Sequence, residues 1–161
     1  MTESVPAHPA GSESIVVGVD GSEPSKAALR WAVRQAALTH ARLEVVWAWE
    51  FPPMYGFAIG YPEDLDLEAE AKEQLSNVVA EILGPDPGIE VTQTVVEGHP
   101  ALVLQELSGD ASLLVVGCRG LGAFRGMVLG SVSAFLASHA RSPVVIIHAP
   151  HADGHHHHDK S

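Results

Sequence analysis

The chain has 161 residues, 46% of them hydrophobic, which is enough for one ordinary domain with a real core. Twenty acidic residues against nine basic ones leave a formal charge of -11, so the broad basic footprint of a nucleic-acid binder is missing, although local N–H groups could still hold a small anion. Cys118 is the single cysteine, which excludes an internal disulfide and any CxxC metal or redox pair and suits a reducing compartment.

Met1 to Ser14 lacks a basic start followed by an apolar run, and no stretch approaches the roughly 20 apolar residues of a membrane helix, so a soluble cytoplasmic protein is expected. Residues 1–13 and 151–161 lack apolar periodicity and are expected to be disordered tails around a single domain at 14–150. Ser14 to Val19 is a continuous apolar run of buried-strand length. Asp20-Gly-Ser-Glu-Pro24 then offers cap residues and a proline before a helix with Ala28, Leu29, Ala32, Val33 and Ala36 on one face and Lys26, Arg30 and Arg34 on the other. Arg42 to Trp49 reads as a second strand, followed by a connection from Phe51 to Asp64 rich in Pro, Gly and aromatic residues. A lid, a partner surface or simple packing over the domain would each explain that composition. Helical spacing resumes through Leu75, Val78, Val79 and Ile82 and ends at Gly84-Pro85. Ile89 to Val96 is a third strand, and Gly98-His-Pro100 starts a short helix carrying Val103, Leu104 and Leu107. Leu113 to Val116 is a fourth strand, Val132 to Ala140 a helix, and Val144 to Ile147 a fifth strand after Pro143. Strands separated by helical connections of this length predict an α/β sandwich with a parallel sheet, whose ligands bind beyond the carboxyl ends of the strands where the winding reverses.

The segment between the fourth strand and the last helix concentrates glycine: Gly117-Cys-Arg-Gly120, nine residues, then Gly130-Ser131. Glycines at a sheet edge allow unusual dihedrals and close approach of main-chain N–H groups to an anion. Ser131 is the candidate N-cap, and the first turn of its helix suits a phosphate. A Walker loop is excluded because none of Lys26, Lys72 and Lys160 follows a glycine, and Gly120-Leu-Gly122 with Gly126 has the wrong last gap for a dinucleotide fingerprint.

Gly117-x2-Gly120-x9-Gly130-Ser131, together with Val17-Gly-Val-Asp-Gly-Ser22 and Gly130-Ser-Val-Ser133, resembles the ATP-binding branch of the universal stress protein family over Ile15 to Ala149. The resemblance implies a three-layer sandwich of the adenine nucleotide alpha hydrolase type, with strand order 3-2-1-4-5. It implies ATP, with Mg2+ as an accompanying ion, held by Gly18, Val19 and Asp20 beside the adenosine and by Ala48 against the adenine. Gly117, Arg119 and Gly120 would begin the phosphate loop, and Gly130, Ser131, Val132 and Ser133 would supply N–H and hydroxyl donors. It also implies a homodimer through Val144 to Ile147, whose apolar edge a partner strand would cover. Ala48 replaces a common valine, Cys118 replaces a common Ser or Thr, and Trp47 and Trp49 flank the base position.

Asp20 could serve ribose or a metal ion, or cap backbone N–H groups; Arg119 and Arg125 could pair with phosphates or be solvated loop charges. His155 to His158 could hold a metal adventitiously or belong to an appended tail, whereas His99 and His139 show no partner in the sequence. Cys118 reads as a lone loop thiol, a small side chain more than a redox sensor. No Ser-His-Asp order, carboxylate pair or general base can be assigned, so the expected function is a nucleotide-dependent regulator in stress response acting on an unidentified protein partner. A slow ATP hydrolase or self-phosphorylating protein using Ser131 or Ser133 with Asp20 is the enzymatic alternative. A nucleotide-free dimeric interaction module is the third.

Overall fold

The computed structural model describes residues 13–51, 65–120 and 128–149. The expected tails, apart from Glu13, lie outside them, as do residues 52–64 of the aromatic connection, Gly122, Arg125, Gly126 and the histidine run. Five strands alternate with four helices: β1 (Ser14–Gly18), α1 (Glu23–Thr39), β2 (Arg42–Trp49), α2 (Leu67–Leu83), β3 (Val91–Glu97), α3 (Pro100–Leu107), β4 (Leu113–Gly117), α4 (Ser131–His139) and β5 (Val144–Ile147). All strand pairs are parallel and the order is β3-β2-β1-β4-β5, as expected. β1 runs on through Val19, whose N–H donates to the Val46 carbonyl at 2.9 Å, and the Glu13 carbonyl accepts the Arg42 N–H at 3.0 Å.

The alternation of strand side chains sorts the core into two layers. Ile15, Val17, Leu43, Val45, Trp47 and Val115 face α1 and α2, where Ala28, Leu29, Ala32, Ala36, Leu75, Val78 and Val79 complete the larger cluster. Val16, Val46, Leu114 and Val116 face α3 and α4, against Val103, Leu104 and Leu136. Fully burying each such Leu or Val contributes roughly 1.5–3 kcal/mol. The run of alanines on α1 lets that helix lie close on the centre of the sheet.

Local signals account for the element ends. The Ser22 side chain accepts the Ser25 N–H to cap α1, Asp66 does the same for Ala69 at α2, and the His99 Nδ1 accepts the Ala101 N–H at α3. His99 therefore has a partner, and so does His139, whose Nδ1 lies 3.0 Å from the Phe135 carbonyl while its ring stacks on Phe135. Gly84 closes α2 with a positive φ of 68°. β3 begins at Val91, two residues beyond the expected Ile89, because the chain is still leaving the turn at Gly88 (φ 71°). Lys26 does not share the solvent side of α1 with Arg30 and Arg34. Its side chain is largely buried, and its ammonium, 3.7 Å from Glu23 and 3.3 Å from Glu81, ties α1 to α2. On the exposed face of α2 the Glu68 carboxylate, 2.8 Å away, raises the Lys72 pKa by hydrogen bond and charge.

Candidate functional site

The sheet winds outward in both directions from β1 and β4, so the loops after these two neighbouring strands open side by side at their carboxyl ends. There they enclose a cavity of about 420 Å³. Gly18, Val19, Asp20, Ala48, Gly117, Arg119, Gly120, Gly130, Ser131, Val132 and Ser133 all line it, which brings together every residue expected at the site.

The glycines of the motif act differently from expectation. None of Gly117, Gly120 and Gly130 has a positive φ, so unusual dihedrals are not their reason. Close approach is. A Cβ at Gly117 would sit 2.6 Å from the Pro24 carbonyl carbon and 2.8 Å from the Ser25 nitrogen, so this glycine admits the start of α1 against the end of β4. At Gly18 a Cβ would meet Leu104 Cδ1 at 2.6 Å, and at Gly120 it would meet Asp20 Oδ2 at 2.5 Å. Gly130 passes close to the backbone of Arg119, whose Cα would be 3.3 Å from an added Cβ.

Ser131 is not the cap of α4. Gly130 takes that position, with φ -74° and ψ 170°, and no side chain caps the helix. Among the described residues α4 is the one helix of four without a side-chain cap. The Gly130 N–H is used by the Cys118 carbonyl at 2.7 Å, and the first bond inside α4 runs from the Ala134 N–H to the Gly130 carbonyl. The N–H groups of Ser131, Val132 and Ser133 have no acceptor among the described residues, and all three residues border the cavity. With the partial positive charge of a helix start behind them, such donors bind an anion.

One expected donor, Ser133, and one that the sequence reading did not name, Ser25, are already committed. The Ser133 hydroxyl is buried and lies 2.7 Å from the Cys118 carbonyl and 3.1 Å from that of Gly130, so it points away from any ligand. The Ser25 hydroxyl, which also lines the cavity, donates to the Ser22 carbonyl at 2.9 Å and accepts the Asp20 N–H at 3.3 Å. Asp20 does cap the turn: its Oδ1 accepts the Ser22 N–H at 2.9 Å and the Ser22 hydroxyl, while Oδ2 lies on the Gly120 side. Arg119 is half-buried on the rim, the cavity's one cationic side chain among the described residues.

The apolar wall is built from Ala48 and from four residues that sequence reasoning missed, Val46, Pro100, Leu104 and Val116. Val46 and Val116 could have been found, since Val46 lies two residues from Ala48 on the same face and Val116, next to last in β4, is on that face too. Pro100 and Leu104 reach the site from α3 across the sheet, which no local pattern reports. The same alternation moves the tryptophans away from the base position. Trp47 and Trp49 lie on the α1 and α2 face, where Trp47 is buried and Trp49 packs edge-on to Phe51 with ring centroids 5.3 Å apart. Cys118 stands one residue beyond β4, as the loop position expects, and its side chain is buried, being 2% exposed. The described residues contain no group of three or more His, Cys, Asp or Glu that could hold a metal ion, and no helix long and apolar enough to cross a membrane.

The model of the Universal stress protein family matches residues 11–148. The chain belongs to that family. A universal stress protein of Mycolicibacterium smegmatis is 37% identical over 141 residues, covering 83% of this chain and 47% of its own length. The chain thus spans about half the length of the curated relatives it matches. Among solved structures, a universal stress protein in complex with cAMP is 31% identical with a TM-score of 0.56, covering 86% of this chain and 98% of that one. The universal stress protein of Archaeoglobus fulgidus in complex with dAMP is 27% identical with a TM-score of 0.62, covering 85% and 98%.

Proposed function

We propose that this chain binds ATP in the cavity between β1 and β4 and works as a nucleotide-dependent regulator in stress response. The observation that carries this reading is the uncapped start of α4, where three residues whose main-chain N–H groups have no acceptor among the described residues border a cavity that also has an apolar wall. The base fits against Ala48, Val46 and Leu104, beside Gly18 and Val19; the phosphates fit the donors at Ser131 and Val132 and the guanidinium of Arg119. A hydrogen bond to a charged group contributes roughly 1.5–3 kcal/mol, so a few of them with base burial reach the roughly -8 kcal/mol of micromolar binding. Relatives solved with cAMP and dAMP support an adenine nucleotide. The triphosphate is the finer part of the proposal, drawn from the glycine motif. Asp20, with its Oδ2 on the Gly120 side, is the residue that would hold Mg2+ when the ion accompanies the phosphates.

Binding without efficient turnover is the proposed activity, because Asp20 is the one carboxylate on the cavity among the described residues and is engaged with Ser22. Ser131, exposed on the first turn of α4, favours self-phosphorylation as the second reading. The rest of the proposal is a single domain at 14–150, cytoplasmic, dimeric through the open edge of β5, signalling to a protein partner. Calorimetric titration of purified protein with ATP, AMP, cAMP and adenosine, with mass spectrometry of any nucleotide that co-purifies, tests it. Absence of binding at millimolar ATP would sink it, and slow release of ADP or a phosphate on Ser131 would favour the second reading.

A further inference from the structure

The backbone of Cys118 joins three elements. Its N–H donates to the Ile147 carbonyl at the end of β5, at 2.8 Å, and its carbonyl accepts both the Gly130 N–H and the Ser133 hydroxyl, each at 2.7 Å. Gly130 caps α4 and Ser133 stands in its first turn, so these two bonds fasten the start of α4 directly to the end of β4, whatever path the intervening loop takes. A serine hydroxyl has one proton to give. At 2.7 Å the Cys118 carbonyl is the better acceptor, since the Gly130 carbonyl lies at 3.1 Å. Ser133 is only 2% exposed, and although it borders the cavity its hydroxyl is engaged with backbone carbonyls.

We infer that Ser133 is a positioning residue: its hydroxyl latches the Cys118 carbonyl and so holds the open N–H groups of Ser131 and Val132 in register with Arg119 and Gly120 before a ligand arrives. Two other roles for a serine here make different predictions. A direct phosphate donor would leave the ligand-free protein unchanged on removal of the hydroxyl. A small core-filling residue would change global stability without loosening the loop's return in particular. A latch does neither, because it lowers the cost of ordering the donors, and pre-ordered donors bind more tightly.

Amide hydrogen exchange on nucleotide-free protein separates these roles, with the fully buried Val45 as the reference amide. Loss of a hydroxyl–carbonyl bond predicts that Ser133→Ala raises exchange at Gly130 by about three- to tenfold relative to Val45. Ser133→Thr, which keeps the hydroxyl, brings it back. If Ser133→Ala fails to fold, the near-isosteric Ser133→Cys, a weak donor, gives the same comparison. No rise at Gly130, or an equal rise at Gly130 and Val45, would overturn the latch. A second measurement rests on the nucleotide proposal: Ser133→Ala weakens ATP about tenfold while adenosine stays within twofold, because only the phosphate side is held by the latch. Lost ATP affinity with unchanged exchange would assign the hydroxyl to direct contact and overturn the inference. If the wild-type chain takes no nucleotide at all, the nucleotide proposal fails and the exchange result alone decides the latch.

Discussion

Gly117→Ala separates the two roles a glycine can play beside a phosphate site. An added Cβ would lie 2.6 Å from the Pro24 carbonyl carbon, 2.8 Å from Pro24 Cβ and 2.8 Å from the Ser25 nitrogen, all on a helix start and not on a flexible side-chain tip. Reaching ordinary contact at 3.4 Å needs a retreat of about 0.8 Å by the first turn of α1. That turn is held by the Ser22 cap and by the Asp20 carboxylate, and the helix behind it packs Ala28, Leu29 and Ala32 on the sheet. Over-packing of this kind costs about 1–3 kcal/mol. For a domain of this size 2 kcal/mol corresponds to a fall of about 4–8 °C in Tm. Gly109→Ala is the control, since that glycine has no positive φ and its Cβ would meet only the Glu106 carbonyl oxygen at 3.4 Å, an ordinary contact, and its Tm is expected within about 2 °C of wild type. Thermal unfolding followed by circular dichroism, without nucleotide, measures both. A Gly117→Ala protein that melts with the wild type would refute the steric argument and return this glycine to the ligand.

Gly130→Ser places a capping hydroxyl on α4, where it competes with a ligand for the same N–H groups; titration should show ATP affinity down about tenfold, and unchanged affinity would remove the uncapped helix from the site. Ala48→Phe, on the half-buried wall of the cavity, is expected to abolish nucleotide binding while urea unfolding stays within about 1 kcal/mol of wild type. Trp49→Phe should leave affinity within about twofold, since that ring is on the far face of the sheet; a tenfold loss would contradict the assignment of faces. Leu104→Ala, which removes a buried side chain from beneath Gly18, should cost about 2–5 kcal/mol by chemical denaturation.

The strand and helix order was legible because each element carries its own period and its own stops: apolar runs for β1 and β4, alanines spaced along α1, Gly84 and Pro143 at the breaks. Strand order came from resemblance, since periodicity along one strand is silent about its neighbour. The residues that the resemblance assigns to the site meet in one cavity, yet Ser131 is not the cap of α4 and the Ser133 hydroxyl is engaged with backbone. Composition and spacing mark Ser133 as a hydroxyl near a phosphate loop, but only three dimensions show that this hydroxyl donates to the Cys118 carbonyl. Gly117 looks like a phosphate contact for the same reason, although its constraint comes from α1, ninety-odd residues earlier in the chain. Pro100 and Leu104 were missed because the contribution of α3 crosses the sheet. The tryptophans, by contrast, were misplaced against a rule that was available, the alternation of Trp47, Ala48 and Trp49.

The burial of Cys118 also makes the chain its own reporter. It carries one thiol, and that thiol lies beneath the junction where β4, β5 and the start of α4 are bonded together. A thiol reagent can reach it only when the junction parts, so the labelling rate under native conditions counts openings at the site without any added probe. A ligand bridging Arg119 and Ser131 would slow that clock in proportion to how firmly it holds the junction shut.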